Sequence, residues 1–249
     1  MLIYLQKRNI TNRANHIRAA QVIMSSRWRQ FIKQYHPEGI PWPASLLYNT
    51  VSSTAIFREH YELVAHDIAH YRTAGCILDI GTGPGHLLVA IQKVLPEAKL
   101  FGVDISSAMV ARAISNLKKR RQDRQIEVRV ADANALPFNN QTFHCVVSTG
   151  SLHHWKDPIR ALFEAHRVLK PGGHALIYDL VRDMPEALCK DIRARFGGFR
   201  MTLLWLHSFE EPFLNAGEME TLGRQTEFEY EGIRFTGALC CLLLKKSTI

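Results

Sequence analysis

The chain has 249 residues, of which 47% are hydrophobic, and this is enough for one α/β domain with an added helical segment. No apolar run approaches the roughly 20 residues of a membrane-spanning helix, so no membrane span is predicted. Five scattered cysteines argue against a disulfide framework, and the composition predicts a cytoplasmic protein with reduced thiols and no metal site.

The net charge of +8 is unevenly distributed along the chain. Residues 1–37 contain seven Lys or Arg residues and no acid, and residues 14–34 are predicted to be helical. This basic segment has three interpretations: a solvated helix, a contact for nucleic acid or a membrane surface, and a transit-peptide-like segment with Met24 as an alternative start. We favour the solvated helix, because basic helix faces commonly need no partner.

Residues 36–43, HPEGIPWP, interrupt any regular helix because they include three prolines and a glycine. Residues 44–71 then have apolar side chains at roughly helical spacing, which predicts one or two helices. Residues 1–74 are therefore expected to form a helical N-terminal extension.

From residue 76 onwards, predicted strands and helices alternate with short connections. The predicted strands cover residues 76–80, 99–103, 126–130, 143–149 and 174–180. Predicted helices cover residues 85–94, 106–119 and 158–169, and the KPGG sequence at 170–173 is predicted to end the last of these as a turn. This alternation predicts a doubly wound parallel sheet.

The remaining elements are predicted to complete the sheet at one edge. Two helices, 185–196 and 209–222, precede two strands, 226–230 and 234–245. Ser208 and Glu211 have the spacing of a capping box at the start of the second helix. The short interval between the two strands predicts an antiparallel hairpin.

The turn after the first predicted strand carries the most informative motif, LDIGTGPG at residues 78–85. Its glycines, Gly81, Gly83 and Gly85, permit positive φ and close approach to a ligand, and a helix N-terminus follows. The spacing is G-x-G-x-G, whereas a dinucleotide site has G-x-G-x-x-G and would place its third glycine at His86. The motif resembles the first motif of the class I S-adenosylmethionine-dependent methyltransferases.

The resemblance extends over residues 75–246 and implies an α/β fold. The expected fold is a doubly wound, seven-stranded, mostly parallel Rossmann-like sheet whose last strand is antiparallel. It further implies that residues 75–249 are the catalytic domain, with residues 183–223 as a substrate lid. The implied cofactor is S-adenosyl-L-methionine, and the implied product is S-adenosyl-L-homocysteine.

Two acids after the second and third strands are candidate cofactor ligands. Asp104 ends the second strand, where an acid can accept hydrogen bonds from both ribose hydroxyls, as in dinucleotide folds. The resemblance implies that Ile105 packs on the adenine. It also matches Asp132 and the backbone N–H of Ala133 to the adenine amino group and ring nitrogen.

The resemblance assigns the other end of the cofactor as well. Asp79 and the backbone of Gly81 would hold the methionine part, and Gly83 would allow its close approach. Thr149, at the end of the fourth strand, would lie beneath the sulfonium region. Tyr48, in the helices before the core, would close over the cofactor.

Residues 148–155, STGSLHHW, follow the fourth strand and are expected to face the transferred methyl group. His153 and His154 are candidates for a general base or a substrate contact, with packing and capping as the alternative. Asp179, at the end of the fifth strand, is the third catalytic candidate. The expected partner is a small-molecule substrate bound by a monomer or homodimer.

Other functions remain open at this point. The basic balance suggests an RNA methyltransferase, although residues 148–151 lack the (Asp/Asn)-Pro-Pro-aromatic run of exocyclic-amine modifiers. A silent cofactor-binding scaffold is another alternative, and the glycine spacing disfavours a nicotinamide-dependent oxidoreductase. Arsenic and quinone-biosynthesis methyltransferases share the core pattern without a specific signature here. The acceptor atom is not specified, because one sheet hosts O-, N-, C- and S-methylation.

Overall fold

The computed structural model describes residues 55–71, 74–121, 125–197 and 213–248. All of these residues belong to the unit formed by residues 37–249. The predicted helix at 14–34, the break at 36–43 and Tyr48 lie outside the described residues, as does the middle of the expected lid, residues 198–212.

The described part of the chain alternates helices and strands from residue 55 to residue 245. The helices are α1 (Ala55–Tyr71), α2 (His86–Val94), α3 (Ser107–Lys119), α4 (Pro158–Val168), α5 (Glu186–Phe196) and α6 (Ala216–Arg224). The strands are β1 (Cys76–Ile80), β2 (Lys99–Asp104), β3 (Ile126–Val130), β4 (Phe143–Thr149), β5 (Leu169–Asp179), β6 (Glu229–Thr236) and β7 (Leu239–Lys245). A short 3-10 turn, Leu152–His154, lies between β4 and α4.

The strands form a seven-stranded sheet in the order β3-β2-β1-β4-β5-β7-β6. β1 pairs in parallel with β2 and β4, and β7 pairs antiparallel with both β5 and β6. The predicted fold class is therefore confirmed. The strand order reverses between β1 and β4, which makes the carboxyl end of these strands the topological switch point of the sheet.

Helices cover both faces of the sheet, and each face has its own hydrophobic core. Ile68 of α1, Leu88 of α2 and Leu117 of α3 pack on one face. Leu162 of α4 and Met219 of α6 pack on the other. Burial on both faces explains why the β1 sequence CILDI is apolar at four of its five positions.

Asp67 of α1 connects that helix to the sheet. Its Oδ2 accepts hydrogen bonds from the Tyr178 hydroxyl of β5 (2.7 Å) and from Thr236 Oγ1 of β6 (3.1 Å). Its Oδ1 accepts from Arg234 Nη1 at 2.6 Å. Burial raises the pKa of Tyr178, which therefore remains a hydrogen-bond donor. None of the helices in the described ranges is long and apolar enough to cross a membrane.

The KPGG sequence does not form the predicted turn before the fifth strand. Residues 170–173 lie inside β5, which begins directly after α4 at Leu169. The β4–β5 register shifts here, from Phe143 opposite Leu169 to Cys145 opposite His174. Gly172, with φ of 73°, provides the irregular backbone. The prediction was wrong because Pro and Gly in a strand also mark irregular pairing.

The predicted position of the turn between the last two strands, at residues 231–233, is also wrong. The chain passes through residues 231–233 as part of β6 and turns instead at residues 237–238. Gly232 has a φ of 130° and sits where the β6–β7 register shifts, so it marks a bulge rather than a strand end. Gly237, with φ of 57°, forms the turn, and a Cβ there would lie 2.9 Å from His60.

The helix predicted from residue 209 begins later. Residues 213–215 are not helical, and α6 starts at Ala216 with Asn215 as its N-cap. Asn215 Oδ1 accepts from the Glu218 N–H at 2.7 Å, and Glu218 Oε2 accepts from the Asn215 N–H at 2.8 Å. The predicted capping pair, Ser208 and Glu211, lies outside the described residues.

Candidate functional site

An open cleft lies at the switch point between β1 and β4. Glycines, acids and a few apolar side chains form its walls. The lining residues are Ile80, Gly81, Gly83, Val103, Asp104, Ile105, Met109, Ala131, Asp132, Ala133, Asn134, Gly150, Ser151, His154 and Trp155. This edge of an open α/β sheet is where ligands bind, because the connections on either side diverge.

The glycine turn after β1 is held against the end of β2. The N–H groups of Gly81 and Thr82 both donate to the carbonyl of Val103, at 2.8 and 2.9 Å. Gly81 and Gly83 have positive φ values of 74° and 51°. A Cβ at position 81 would lie 2.4 Å from Ser151, so only glycine fits between the turn and the segment after β4.

Asp104 links the glycine turn to the start of α3. Its Oδ2 accepts from the Gly83 N–H and its Oδ1 from the Ser106 N–H, both at 2.9 Å. The residue is 9% exposed, and burial raises the pKa of its carboxyl group while these two hydrogen bonds oppose the rise. The carboxylate is thus fixed in orientation at the wall of the cleft.

Asp79 lies beneath the same turn and does not line the cleft. Thr82 Oγ1 donates to its Oδ2 at 2.7 Å. Burial raises the pKa of Asp79 to about 7, although the Thr82 hydrogen bond lowers it, and the nearby Asp104 adds to the rise. A cationic group placed beside Asp79 would favour its charged form.

The segment after β3 offers both a donor and acceptors to the cleft. Asp132 Oδ1 accepts from the backbone N–H of Asn134 at 2.8 Å and from its Nδ2 at 3.1 Å. The N–H of Ala133 donates to no group in the described part of the chain. Asn134 Oδ1 is buried there without a partner. Buried polar atoms of this kind are normally satisfied by a ligand or water.

The segment after β4 closes the opposite wall. Ser151 Oγ donates to the Ile80 carbonyl at 3.1 Å and lies 2.7 Å from Ser148 Oγ. These contacts tie the 3-10 turn to the glycine turn. Thr149 is half-buried and does not line the cleft, and its Oγ1 has no hydrogen-bond partner within the described ranges.

The two adjacent histidines have different surroundings. His154 lines the cleft, whereas His153 is 5% exposed. His153 donates from its backbone N–H to Asp179 Oδ2 at 2.9 Å, and its Nδ1 lies 2.9 and 3.0 Å from the two Asp179 oxygens. The His153 ring packs between His154 and Phe213, with ring centroids 4.0 and 4.1 Å away. The Asp179 carboxylate thus engages Nδ1 of the His153 ring and fixes the orientation of the ring.

Most residues predicted for the cofactor meet at this cleft. Gly81, Gly83, Asp104, Ile105, Asp132 and Ala133 line it. The sequence reasoning missed Ser151, whose role depends on contact with a glycine 70 positions earlier, and it missed Asn134. No group of three or more His, Cys, Asp or Glu residues in the described ranges is placed to hold a metal ion.

Comparison with known proteins gives three kinds of match. Residues 77–173 match the family model described as a methyltransferase domain. The chain is 38% identical over 106 residues to the ubiquinone/menaquinone biosynthesis C-methyltransferase UbiE of Desulfotalea psychrophila, covering 43% of this chain and 42% of that protein. It is 32% identical over 155 residues to the O-methyltransferase cnsE of Penicillium expansum, covering 61% and 51%. The chain thus spans about half the length of these curated relatives.

A solved structure matches a larger share of the chain. The structure of a SAM-dependent methyltransferase from Aquifex aeolicus superimposes with a TM-score of 0.59 and 18% sequence identity. The match covers 75% of this chain and 92% of that one. At this level of identity the likeness concerns the fold.

Proposed function

Because the chain belongs to the class I S-adenosylmethionine-dependent methyltransferase superfamily, we propose that it transfers a methyl group from S-adenosylmethionine to a small-molecule acceptor. The observation that carries this proposal is the meeting of the glycine turn, Asp104 and Asp132 around one cleft. The released product would be S-adenosylhomocysteine.

The polar groups of the cleft suit an adenosyl group. The Asp104 carboxylate can accept from two vicinal hydroxyls, since each of its oxygens has a lone pair beyond those used by Gly83 and Ser106. The uncommitted N–H of Ala133 suits a purine ring nitrogen, and Asp132 suits its amino group. Ile105 is 38% exposed at this wall, where it offers an apolar surface to a flat ring.

The glycine turn is the proposed site of the methionine part. Gly81 and Gly83 leave room for a ligand close to the backbone, and Asp79 lies below them as a partner for a cationic group. Thr149 does not line the cleft, so its place near the sulfonium stays a sequence prediction. Tyr48, outside the described residues, stays a sequence prediction.

When bound, the cofactor supplies a methyl group activated by the positive charge of its sulfonium. The chain must align the acceptor, exclude water and remove any proton that the acceptor loses. We assign proton removal to His153 Nε2, with Asp179 holding the ring in place through Nδ1. His154, which lines the cleft, is assigned a substrate contact.

A base of this kind serves an acceptor that carries a removable proton. The names of two similar proteins, a quinone-biosynthesis C-methyltransferase and an O-methyltransferase, support carbon or oxygen as the acceptor atom. We therefore propose a small hydroxylated compound as the acceptor.

Calorimetric titration of the purified chain with S-adenosylmethionine, S-adenosylhomocysteine and NAD tests the cofactor proposal. We expect micromolar binding of both adenosyl ligands and no binding of NAD. A methyl-transfer assay with phenols, hydroxyquinones, amines and bulk RNA then tests the acceptor. Binding without transfer to any acceptor would favour the scaffold alternative, and transfer to RNA alone would overturn the small-molecule assignment.

A further inference from the structure

The loop between β3 and β4, residues 131–142, forms one wall of the cleft without regular secondary structure. Its first four residues, 131–134, line the cleft. Backbone hydrogen bonds to Asp104 and to the end of α4 anchor the two ends of this loop, but residues 132–140 pair with no strand, so their position depends on contacts with neighbouring elements. We call residues 131–142 the wall loop.

Three residues on one face of α4 hold the backbone of the wall loop. Arg160, Glu164 and Arg167 are spaced four and three positions apart, which places them on the same side of the helix. Arg167 donates from Nη1 to the Phe138 carbonyl at 2.8 Å and from Nη2 to the Leu136 carbonyl at 2.9 Å. Glu164 Oε2 accepts from the Leu136 N–H at 2.9 Å, and Arg160 Nε donates to the Asn134 carbonyl at 3.3 Å.

Glu164 and Arg167 also bond to each other. Arg167 Nε and Nη2 each lie 2.8 Å from a different oxygen of Glu164, so the guanidinium and carboxylate meet as a fork. Glu164 is 8% exposed, and the hydrogen bond from Arg167 lowers the pKa of its carboxyl group. The pair therefore stays charged at neutral pH and keeps its geometry.

These hydrogen bonds reach the main chain of Asn134, the last cleft-lining residue of the loop, and that of Leu136 and Phe138 just after it. Leu136 is buried, and the Phe138 ring packs edge-on against Phe143 with centroids 4.8 Å apart, so the second half of the wall loop is fixed on both sides. The first half, with Asp132 and Ala133, is left facing the cleft. A shift of the Leu136 backbone would therefore move the Asp132 carboxylate and the Ala133 N–H, the two groups assigned to the adenine.

We propose that Glu164 and Arg167 are positioning residues that set the cofactor's affinity by holding the wall loop in its binding-competent position. Neither side chain lines the cleft, so both act through the loop backbone. This inference rests on the proposed function, because it assumes that the adenine lies against residues 132–133.

The test replaces each partner conservatively, with Arg167→Lys and Glu164→Gln. Lys keeps the charge but loses the fork, whereas Gln keeps an acceptor for the Leu136 N–H but loses the charge. The matched control is the exposed Arg224–Glu220 pair on α6, in which Arg224 Nη2 lies 2.8 Å from Glu220 Oε1. This pair receives the same two replacements, Arg224→Lys and Glu220→Gln. All variants are compared at a temperature where circular dichroism shows each to be fully folded.

The affinities for S-adenosylhomocysteine and for adenosine are measured by calorimetry. If the competent loop population falls to a tenth, both dissociation constants rise about tenfold, because apparent affinity scales with that population. Since adenosine lacks the methionine part, an equal factor for both ligands locates the effect at the adenine wall. Turnover at saturating cofactor should stay within about twofold of the wild type, because the histidine side of the cleft is unaffected.

A purely structural role would lower the melting temperature and leave both dissociation constants of the folded protein unchanged, and that result would overturn the inference. Should Arg167→Lys fail to fold, Glu164→Gln alone decides, because the amide has one acceptor oxygen and cannot serve both the Leu136 N–H and the Arg167 fork. A wild-type chain that binds neither ligand would overturn the proposed function and this inference together. A wild type that binds both while the variants bind equally well would overturn only the inference.

Discussion

The two sides of the cleft are built by different means. The glycine-turn side consists of residues 79–85 with Asp104 and residues 131–134. Backbone hydrogen bonds such as those from Gly81 and Thr82 to Val103 hold the turn, and side chains of α4 hold the loop that contains residues 131–134. The histidine side, residues 148–155 with Asp179 and Phe213, depends on a side-chain pair 26 positions apart and on ring packing. Both sides need the tertiary fold, but the first is assembled mainly by the pairing of strand ends, whereas the second is assembled by side-chain contacts.

On the glycine-turn side, we expect the largest loss of cofactor affinity from Asp104→Asn. The amide keeps one acceptor oxygen but presents an N–H₂ group to Gly83 or Ser106 and to the ribose hydroxyls. Losing two charge-assisted hydrogen bonds should raise the dissociation constant of S-adenosylhomocysteine about a hundredfold or more. Calorimetric titration measures this change.

Asp157→Asn is the matched control, because Asp157 likewise accepts from a backbone N–H at the start of a helix, that of Arg160 at 2.9 Å, but does not line the cleft. Its affinity should match that of the wild type. Unchanged affinity in Asp104→Asn would remove the ribose assignment.

A smaller effect, confined to turnover, is expected from Asp179→Asn on the histidine side. The Asp179 carboxylate accepts from three donors, namely the N–H groups of His153 and Leu180 and the His153 ring. An amide has one acceptor oxygen, so it cannot satisfy all three and leaves the ring orientation unspecified. Turnover should fall about a hundredfold, in the range of general-base catalysis, while cofactor affinity stays within about twofold.

Asp67→Asn provides the control, because Asp67 accepts from Tyr178 on the opposite face of β5. That variant should lose stability without losing turnover per folded molecule. Equal turnover in Asp179→Asn and the wild type would exclude a base positioned by Asp179, and a cofactor affinity that falls with turnover would show that the two sides are coupled.

The same division separates what the sequence predicted from what it did not. The strand–helix alternation, the glycine turn and the position of Asp104 and Asp132 after their strands were predictable, because each depends on residues close together in the sequence. The hairpin break was misplaced because Gly232 as a bulge and Gly237 as a turn carry the same sequence signal. Asp179 and His153 were proposed separately, and their pairing required β5 to lie beside β4, which composition does not reveal.

The smallest expected effect concerns pH and again falls on the glycine-turn side. The pKa of Asp79 is raised to about 7, so the buried carboxyl is protonated below that pH and charged above it. A cationic ligand beside Asp79 favours the charged form, and its affinity should therefore rise with pH. Between pH 6 and pH 8 the dissociation constant of S-adenosylhomocysteine should fall by up to about tenfold, with a proton released on binding.

Titration in two buffers of different ionisation enthalpy measures the proton release directly. The ligand's own α-amino group can also exchange a proton, so the comparison is with Asp79→Asn, in which the contribution of Asp79 is removed. Asp104 is the other carboxyl group at this turn whose pKa is raised, and it is still present in the Asp79→Asn variant. If wild type and variant release the same number of protons, Asp79 does not meet the amine, and the methionine part must lie away from the glycine turn.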